Sequence, residues 1–311
     1  MSRVARTALL STAVLAVLST AACSGSAAAS AGASPSGGSA SALSVVASTN
    51  VWGDIAAAVG GDRVRVTSVI SNPSADPHSY EASARTRLAV ADARLIIENG
   101  GGYDDFMSQL VAATRSTAPV IVAVDASGAA AAAKASGAQL NEHVWYDLPG
   151  VAKVADQITA ALTAADPGDA TTFRTNAARF QTGLQALIAQ EATDRASVQG
   201  AGVAITEPVP LYLLDALGAV NKTPAAFSKA VEDGTDAPAQ VLQQTEDLFT
   251  SGAVKALVYN EQTTGTQTEL LLHLAQTHHV AVVPVTETLP AGTTYLTWMG
   301  DNLAAVRKAL S

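Results

Sequence analysis

The chain has 311 residues, with 18 Lys or Arg against 27 Asp or Glu, which gives a formal net charge of −9 at pH 7. The sequence contains no basic cluster, so an electrostatic nucleic-acid-binding surface is excluded and nucleic acid is not an expected partner. A single cysteine, Cys23, excludes a disulfide framework.

The first 23 residues have the pattern of an export signal. Arg3 and Arg6 precede an apolar run over residues 8–18, which has the length of a signal-peptide core and is shorter than the ~20 apolar residues of a transmembrane helix. Small residues then lead into Cys23, which resembles a bacterial lipoprotein signal, although Thr20 stands where leucine is usual. We expect lipidation of Cys23 and anchoring to the outer face of the bacterial cell membrane; a plain secretory signal is the alternative.

The segment that follows Cys23 differs in composition from the rest of the chain. Residues 24–43 are nearly all Ala, Ser and Gly, too poor in apolar surface to form a core, and predict a flexible tether. The remainder is long enough for two lobes. We expect an N-terminal lobe at 44–165, a connecting long helix at 166–200 and a C-terminal lobe at 201–311.

Strand-like and helix-like patterns alternate along the folded part. Predicted strands, in chain order, cover residues 43–47, 64–70, 95–97, 120–124, 203–206, 256–259 and 280–285. Predicted helices cover residues 51–59, 84–93, 104–115, 151–164, 169–195, 211–217, 238–249, 266–277 and 295–310. This order predicts an α/β protein whose lobes each contain a mostly parallel sheet flanked by helices, joined by one long rigid helix.

Two histidines and two carboxylates stand at the exits of such segments. His78 and His143 lie in loop-like stretches, and Glu207 and Glu287 follow apolar strand-like runs. Parallel sheets bind ligands beyond the carboxyl ends of their strands. The four residues therefore predict one metal site of four ligands between the lobes.

Several segments resemble the substrate-binding lipoproteins of zinc and manganese ABC importers, the cluster A-I or zinc-uptake periplasmic-binding-protein family. These are Asp76–Glu81, Asn99–Tyr103, His143–Asp147 and Thr206–Pro208. The resemblance covers the whole folded part in the same order, the central helix included. It implies two α/β lobes, a metal in the cleft between them, and delivery of that metal to a membrane permease.

The resemblance also implies the ligand set. His78 and His143 match the first two ligands of that family. Glu207 matches the third, which is His or Glu in different members, and Glu287 matches the fourth, an acidic residue after the last strand. Two alternatives to these carboxylate ligands are open. Glu207 could cap the following helix, and Asp301 could be the fourth ligand in place of Glu287. Four protein ligands leave no position for a catalytic water, and no His-Glu-x-x-His motif is present, so an enzyme is not expected.

The metal and the biological role leave alternatives open. Zinc is slightly favoured over manganese because imidazole suits zinc. However, residues 125–140 lack the histidines of the His-rich loop in some zinc-specific members, and iron is not excluded. We expect a monomer that serves an ABC permease. The alternative is a surface lipoprotein, an adhesin or scaffold with a structural metal, which would unfold without it.

Overall fold

The computed structural model describes residues 42–72, 80 and 82–311. The predictions for Cys23 and for the tether up to residue 41 lie outside the described residues, as does the prediction for His78. Among the described residues, no helix is both long and apolar enough to cross a membrane.

The described part alternates between parallel strands and helices. The strands are β1 Leu43–Thr49, β2 Val64–Ile70, β3 Leu95–Glu98, β4 Val120–Val122, β5 Gly202–Ile205, β6 Val220–Asn221, β7 Ala256–Asn260 and β8 Ala281–Val285. The α-helices are α1 Asn50–Gly60, α2 Ala84–Ala91, α3 Asp105–Thr114, α4 Ala123–Ser127, α5 Ala129–Ser136, α6 Leu148–Ala165, α7 Ala170–Val198, α8 Leu211–Leu217, α9 Ala225–Glu232, α10 Ala239–Thr250, α11 Thr266–Thr277 and α12 Tyr295–Leu310. Short 3₁₀ helices in the described residues lie at Gly61–Arg63, Val144–Tyr146 and Pro167–Asp169.

The strands form two four-stranded parallel sheets with the same order of strands. The first sheet runs β2-β1-β3-β4 and the second β6-β5-β7-β8. In each sheet the second strand in chain order lies on one side of the first strand, and the later strands lie on the other side. The topological switch point, where parallel sheets bind ligands at the carboxyl ends of their strands, is therefore between β1 and β3 in the first sheet and between β5 and β7 in the second. The predicted fold class is confirmed.

The long helix α7 joins the two sheets. Its 29 residues span about 44 Å at 1.5 Å per residue. Phe173, Ala177, Phe180 and Leu184 are buried at steps of three or four, which places them on one stripe of the helix. That stripe belongs to a hydrophobic core cluster that also includes buried residues of both sheets, so α7 is packed along its length rather than exposed as a free linker.

Hydrogen bonds also connect the first lobe directly to the C-terminal segment. Asn50 donates from Nδ2 to the Leu289 carbonyl over 2.7 Å and accepts from the Leu289 N–H over 2.9 Å. Asp54 accepts from the Tyr295 N–H over 2.8 Å, and the Tyr295 hydroxyl donates to the Trp145 carbonyl over 2.6 Å. These bonds pin the two lobes together at the side of α1.

The structure differs from the predicted elements in two regions. The predicted strand over residues 120–124 ends at Val122, because Ala123 begins α4, and the Ala-rich stretch that follows forms α4 and α5. The strand β6 and the helix α9 were not predicted. Two residues are too few for β6 to show alternation, and polar Lys222 and Thr223 with Pro224 obscure the start of α9.

Glu191, on α7, gives a prediction for stability. Its side chain is buried, and Oε1 has no hydrogen-bond partner among the described residues. Burial, helped by the charge of Asp147, raises the pKa of Glu191 to about 7. The folded state then holds a proton more tightly than the unfolded state, so stability falls as the pH rises from about 4.5 to about 7.

We therefore expect Glu191→Gln to raise the free energy of unfolding by about 1–3 kcal/mol at pH 8 and much less at pH 5. Urea denaturation at the two pH values measures this difference. An equal effect at both pH values would contradict ionisation of Glu191 as its cause.

Candidate metal site

Two of the predicted carboxylates lie together beyond the second sheet. Glu207 follows β5 by two residues and Glu287 follows β8 by two residues. Both side chains are buried, with 5% and 3% of their surface exposed. Burial of two carboxylates is costly unless each is compensated, so their partners decide what the arrangement can bind.

Asn260, the last residue of β7, joins the two carboxylates. Its Nδ2 donates to Oε2 of Glu207 and, over 2.8 Å, to Oε1 of Glu287. The Asn260 N–H donates to the Thr206 hydroxyl over 2.9 Å, which fixes the residue from the backbone side. One neutral amide thus bridges the two carboxylates and holds them side by side.

The Glu287 backbone is also held in place. Its N–H donates to Oε1 of Gln262, which accepts the Thr288 N–H over 3.2 Å as well. Gln262 donates from Nε2 to the Thr288 hydroxyl over 3.0 Å. The turn that carries Glu287 is therefore set by a second amide side chain, so the carboxylate is positioned before any ligand arrives.

His143 is buried in the first lobe, at the start of a 3₁₀ turn, with 1% of its surface exposed. Its Nδ1 lies 2.7 Å from Oδ1 of Asn141, which also accepts the His143 backbone N–H. Because this oxygen is an acceptor, the proton belongs on Nδ1, and Nε2 is the nitrogen that can offer a lone pair to a metal. The rings of Tyr103 and Trp145, 6.1 and 5.1 Å from the imidazole, hold it in a tilted, edge-on cluster.

Asn141 links this histidine to the second lobe. Its Nδ2 donates to the carbonyl of Pro208 over 3.2 Å, the residue that follows Glu207, and its own carbonyl accepts the Tyr212 hydroxyl over 2.8 Å. The Tyr146 hydroxyl donates to the Thr286 carbonyl over 3.0 Å, one residue before Glu287. The segments bearing His143, Glu207 and Glu287 are thus joined at neighbouring residues.

Asn99 plays a similar part in the first lobe. It follows β3, the strand that corresponds in sheet order to β7, and its Nδ2 donates to the Glu142 carbonyl over 3.0 Å. The next three residues, Gly100, Gly101 and Gly102, have φ values of 77°, 74° and 96°, a conformation that side chains oppose. An asparagine at the end of the third strand therefore organises the ligand-bearing loops in each lobe.

A second group of side chains lies beside His143. Glu142, His143 and Glu232 each present one potential ligand atom, and these atoms lie within 4.8 Å of one another. Burial raises the pKa of Glu232 to about 7, and the carboxylates of Glu142, Asp233 and Glu287 contribute to this rise against the opposing effect of Lys229. Glu142 is half-buried.

The structure places the predicted residues as follows. Glu207 and Glu287 share Asn260, and His143 is connected to the same region, whereas His78 lies outside the described residues. Asp301 is exposed on α12, and α8 begins at Leu211 with Pro210 as its N-cap, so Glu207 is not an N-cap residue.

Sequence reasoning missed Asn141, Asn260 and Glu232. The position of Asn260, directly after the predicted strand over residues 256–259, was a usable indication, since a similar placement identified Glu207 and Glu287. Asn141 could also have been considered, because a short polar side chain two residues before a histidine can reach its ring.

Curated relatives carry metal-binding names. Over 149 residues the chain is 31% identical to the manganese-binding lipoprotein MntA of Bacillus subtilis, covering 47% of each chain. Over 148 residues it is 25% identical to the iron-binding protein YfeA of Yersinia pestis, covering 48% of this chain and 47% of that protein. The matched region thus spans about half the length of these relatives.

Solved structures share the fold over almost their full length. The periplasmic zinc-binding protein TroA from Treponema pallidum superposes with a TM-score of 0.75 at 20% identity, covering 88% of this chain and 100% of that one. A manganese-bound mutant of the periplasmic metal-binding protein from Candidatus Liberibacter asiaticus gives a TM-score of 0.71 at 19% identity, covering 86% and 99%. These likenesses confirm two parallel-sheet lobes joined by a long helix.

The match to a family model covers nearly all of the described chain. The model is described as zinc-uptake complex component A, periplasmic, and it matches residues 45–309. This span includes both sheets, α7 and the segments of His143, Glu207 and Glu287. The chain belongs to this zinc-uptake component A family.

Proposed function

We propose that the protein is an extracytoplasmic solute-binding protein that captures one divalent transition metal and delivers it to an ABC permease for import. The metal is held between the lobes by His78, His143, Glu207 and Glu287. The metal is the transported cargo, and the protein carries out no chemical conversion of it. In this proposal the lobes are residues 44–165 and 201–311, with residues 166–200 as the connecting helix.

The observation that carries this proposal is the shared amide of Asn260. Two buried carboxylates that accept from the same Nδ2 repel each other, and a divalent cation between them removes that repulsion. The imidazole of His143, with its proton held on Nδ1 by Asn141, supplies a neutral nitrogen ligand from the other lobe. Donors from both lobes suit a cargo that must be enclosed and later released.

The donor set favours zinc slightly and leaves manganese a close second. Two imidazoles and two carboxylates can close a tetrahedral zinc site, and divalent zinc binds such sites more tightly than manganese does. Bidentate carboxylates raise the coordination number and suit manganese. Relatives named for manganese, iron and zinc support a transition metal as the class of cargo.

The site also favours binding over catalysis. A metallohydrolase needs an open coordination position and a general base near it, whereas four protein ligands fill a tetrahedral zinc site. The relatives named above are metal-binding proteins, in agreement with a non-enzyme. The pinned lobes and the continuous core argue against a protein that folds only around a structural metal, the requirement of the adhesin or scaffold alternative.

The location follows from the N-terminal sequence and the family. Lipidation of Cys23 would anchor the protein to the outer face of the cell membrane, with residues 24–43 as the tether. Relatives named as lipoproteins support this placement. A monomer tethered in this way can reach a permease in the same membrane.

A calorimetric titration tests the proposal. The purified protein, stripped with a chelator and shown to be folded by circular dichroism, is titrated with Zn²⁺ and separately with Mn²⁺ at matched pH. We expect one tight equivalent of metal, with zinc tighter than manganese. Absence of tight binding to folded protein would refute the proposal, and unfolding of the stripped protein would favour the scaffold alternative.

A further inference from the structure

Glu142, His143 and Glu232 form a second group of potential metal ligands. Only His143 of the three belongs to the proposed four-ligand site. Glu142 and His143 belong to the first lobe, while Glu232 is the last residue of α9 in the second. The potential ligand atoms of the three side chains lie within 4.8 Å of one another. A cavity of about 360 Å³, open to solvent and lined in part by Gly101, Glu142 and Glu232, lies beside them.

Glu232 lacks the compensation that a buried carboxylate needs. Its side chain is only 9% exposed, and its Oε1 has no hydrogen-bond partner among the described residues. The nearest cation, Nζ of Lys229, is 4.0 Å from Oε2 and is bound closely by Asp233. Glu232 also ends a helix, where the macrodipole disfavours negative charge.

This arrangement suits a cation that occupies the group for part of the time. A nitrogen and two carboxylates suit a first-row divalent metal, with water completing the coordination. Three ligands beside an open cavity bind more weakly and exchange faster than four enclosed ones.

We propose that Glu142, His143 and Glu232 form an outer metal position, at which an incoming divalent cation binds before it passes to the inner ligands Glu207 and Glu287. The inference rests on the proposed function, since it assigns the route into that site. His143 belongs to both positions, so the two are filled in turn and one protein carries one metal. The outer carboxylates raise the rate of capture more than the final affinity.

Stopped-flow kinetics with Zn²⁺ alone tests the route. The double variant Glu142→Gln/Glu232→Gln is compared with Glu269→Gln, which removes one exposed charge on α11 outside the group. We expect the association rate constant of the double variant to fall about tenfold and its dissociation constant to change less than about threefold, with Glu269→Gln close to wild type. An association rate equal to that of Glu269→Gln would overturn the proposal.

A second experiment isolates the outer position. Glu207→Gln/Glu287→Gln, checked for folding by thermal melting, should retain one weak equivalent of Zn²⁺, and addition of Glu232→Gln should abolish it. Retention of that equivalent in the triple variant would contradict the outer position. If wild-type protein binds no metal, the proposed function fails; if it binds tightly while the outer variants behave like Glu269→Gln, only the outer position fails.

Discussion

We expect His143→Ala to lower the affinity for Zn²⁺ by at least about 100-fold, or roughly 2.8 kcal/mol of binding free energy, while the protein stays folded. In the proposed site this imidazole is a nitrogen ligand from the first lobe, and loss of only the hydrogen-bond partner of such a ligand costs metalloproteins about 10–100-fold in affinity. Removal of the ring also leaves a small cavity beside Tyr103 and Trp145, so a modest loss of stability accompanies the change. Competition with a chromogenic chelator measures the affinity, and circular dichroism checks the fold.

Two further variants serve as comparisons for this prediction. His273→Ala removes an exposed histidine of α11 and should leave the affinity unchanged. Asn141→Ala removes the acceptor that fixes the proton on Nδ1 of His143, and its affinity should lie between those of wild type and His143→Ala. Wild-type affinity in folded His143→Ala would show that this histidine is not a ligand.

We expect Asn260→Ala to destabilise the metal-free protein by about 2–4 kcal/mol, because the two carboxylates lose charge-assisted hydrogen bonds that are worth about 1.5–3 kcal/mol each. For a protein of this size the melting temperature should fall by roughly 5–15 °C. Saturating Zn²⁺ should reduce this deficit, since a cation between Glu207 and Glu287 neutralises the charge that the amide otherwise bridges. Thermal melting with and without metal measures both effects.

Asn176→Ala is the matched control for this prediction. Asn176 also donates from a side-chain amide, over 3.2 Å to the carbonyl of Val59, but its acceptor is uncharged and belongs to the fold alone. Its cost should be the same with and without metal. An Asn260→Ala deficit equally insensitive to saturating Zn²⁺ would show that the amide supports the fold without preparing a cation site.

The sequence predicted most of the fold because long amphipathic helices and apolar strands have clear periods. Residues 266–277 and 295–310 were assigned as helices with the bounds that the structure shows for α11 and α12. Elements were missed where the hydrophobic pattern was too short or too uniform to show a period. The strand β6 has two residues, and the Ala-rich stretch that contains α5 has no periodic apolar face to read.

The candidate site was predictable only in part. The ends of strand-like and loop-like segments drew attention to His78, His143, Glu207 and Glu287, and the resemblance to a family implied the same four ligands. The amides of Asn141 and Asn260 were not predicted, because asparagine is common in loops and its hydrogen-bond partners depend on contacts between distant segments. Glu232 was hidden for the same reason: nothing in its local sequence indicates that α9 brings it to His143.

The double hydrogen bond of Asn50 with Leu289 has a consequence for how a transporter could recognise a loaded protein. Asn50, Asp54 and Tyr295 join the first lobe to the C-terminal segment, so a large hinge rotation would have to break several hydrogen bonds at once. Loading should therefore leave the radius of gyration nearly constant, and small-angle X-ray scattering of the empty and filled forms should coincide. Under the proposed function, a permease would then distinguish the two forms by the order and charge of the loops around the cleft rather than by molecular shape.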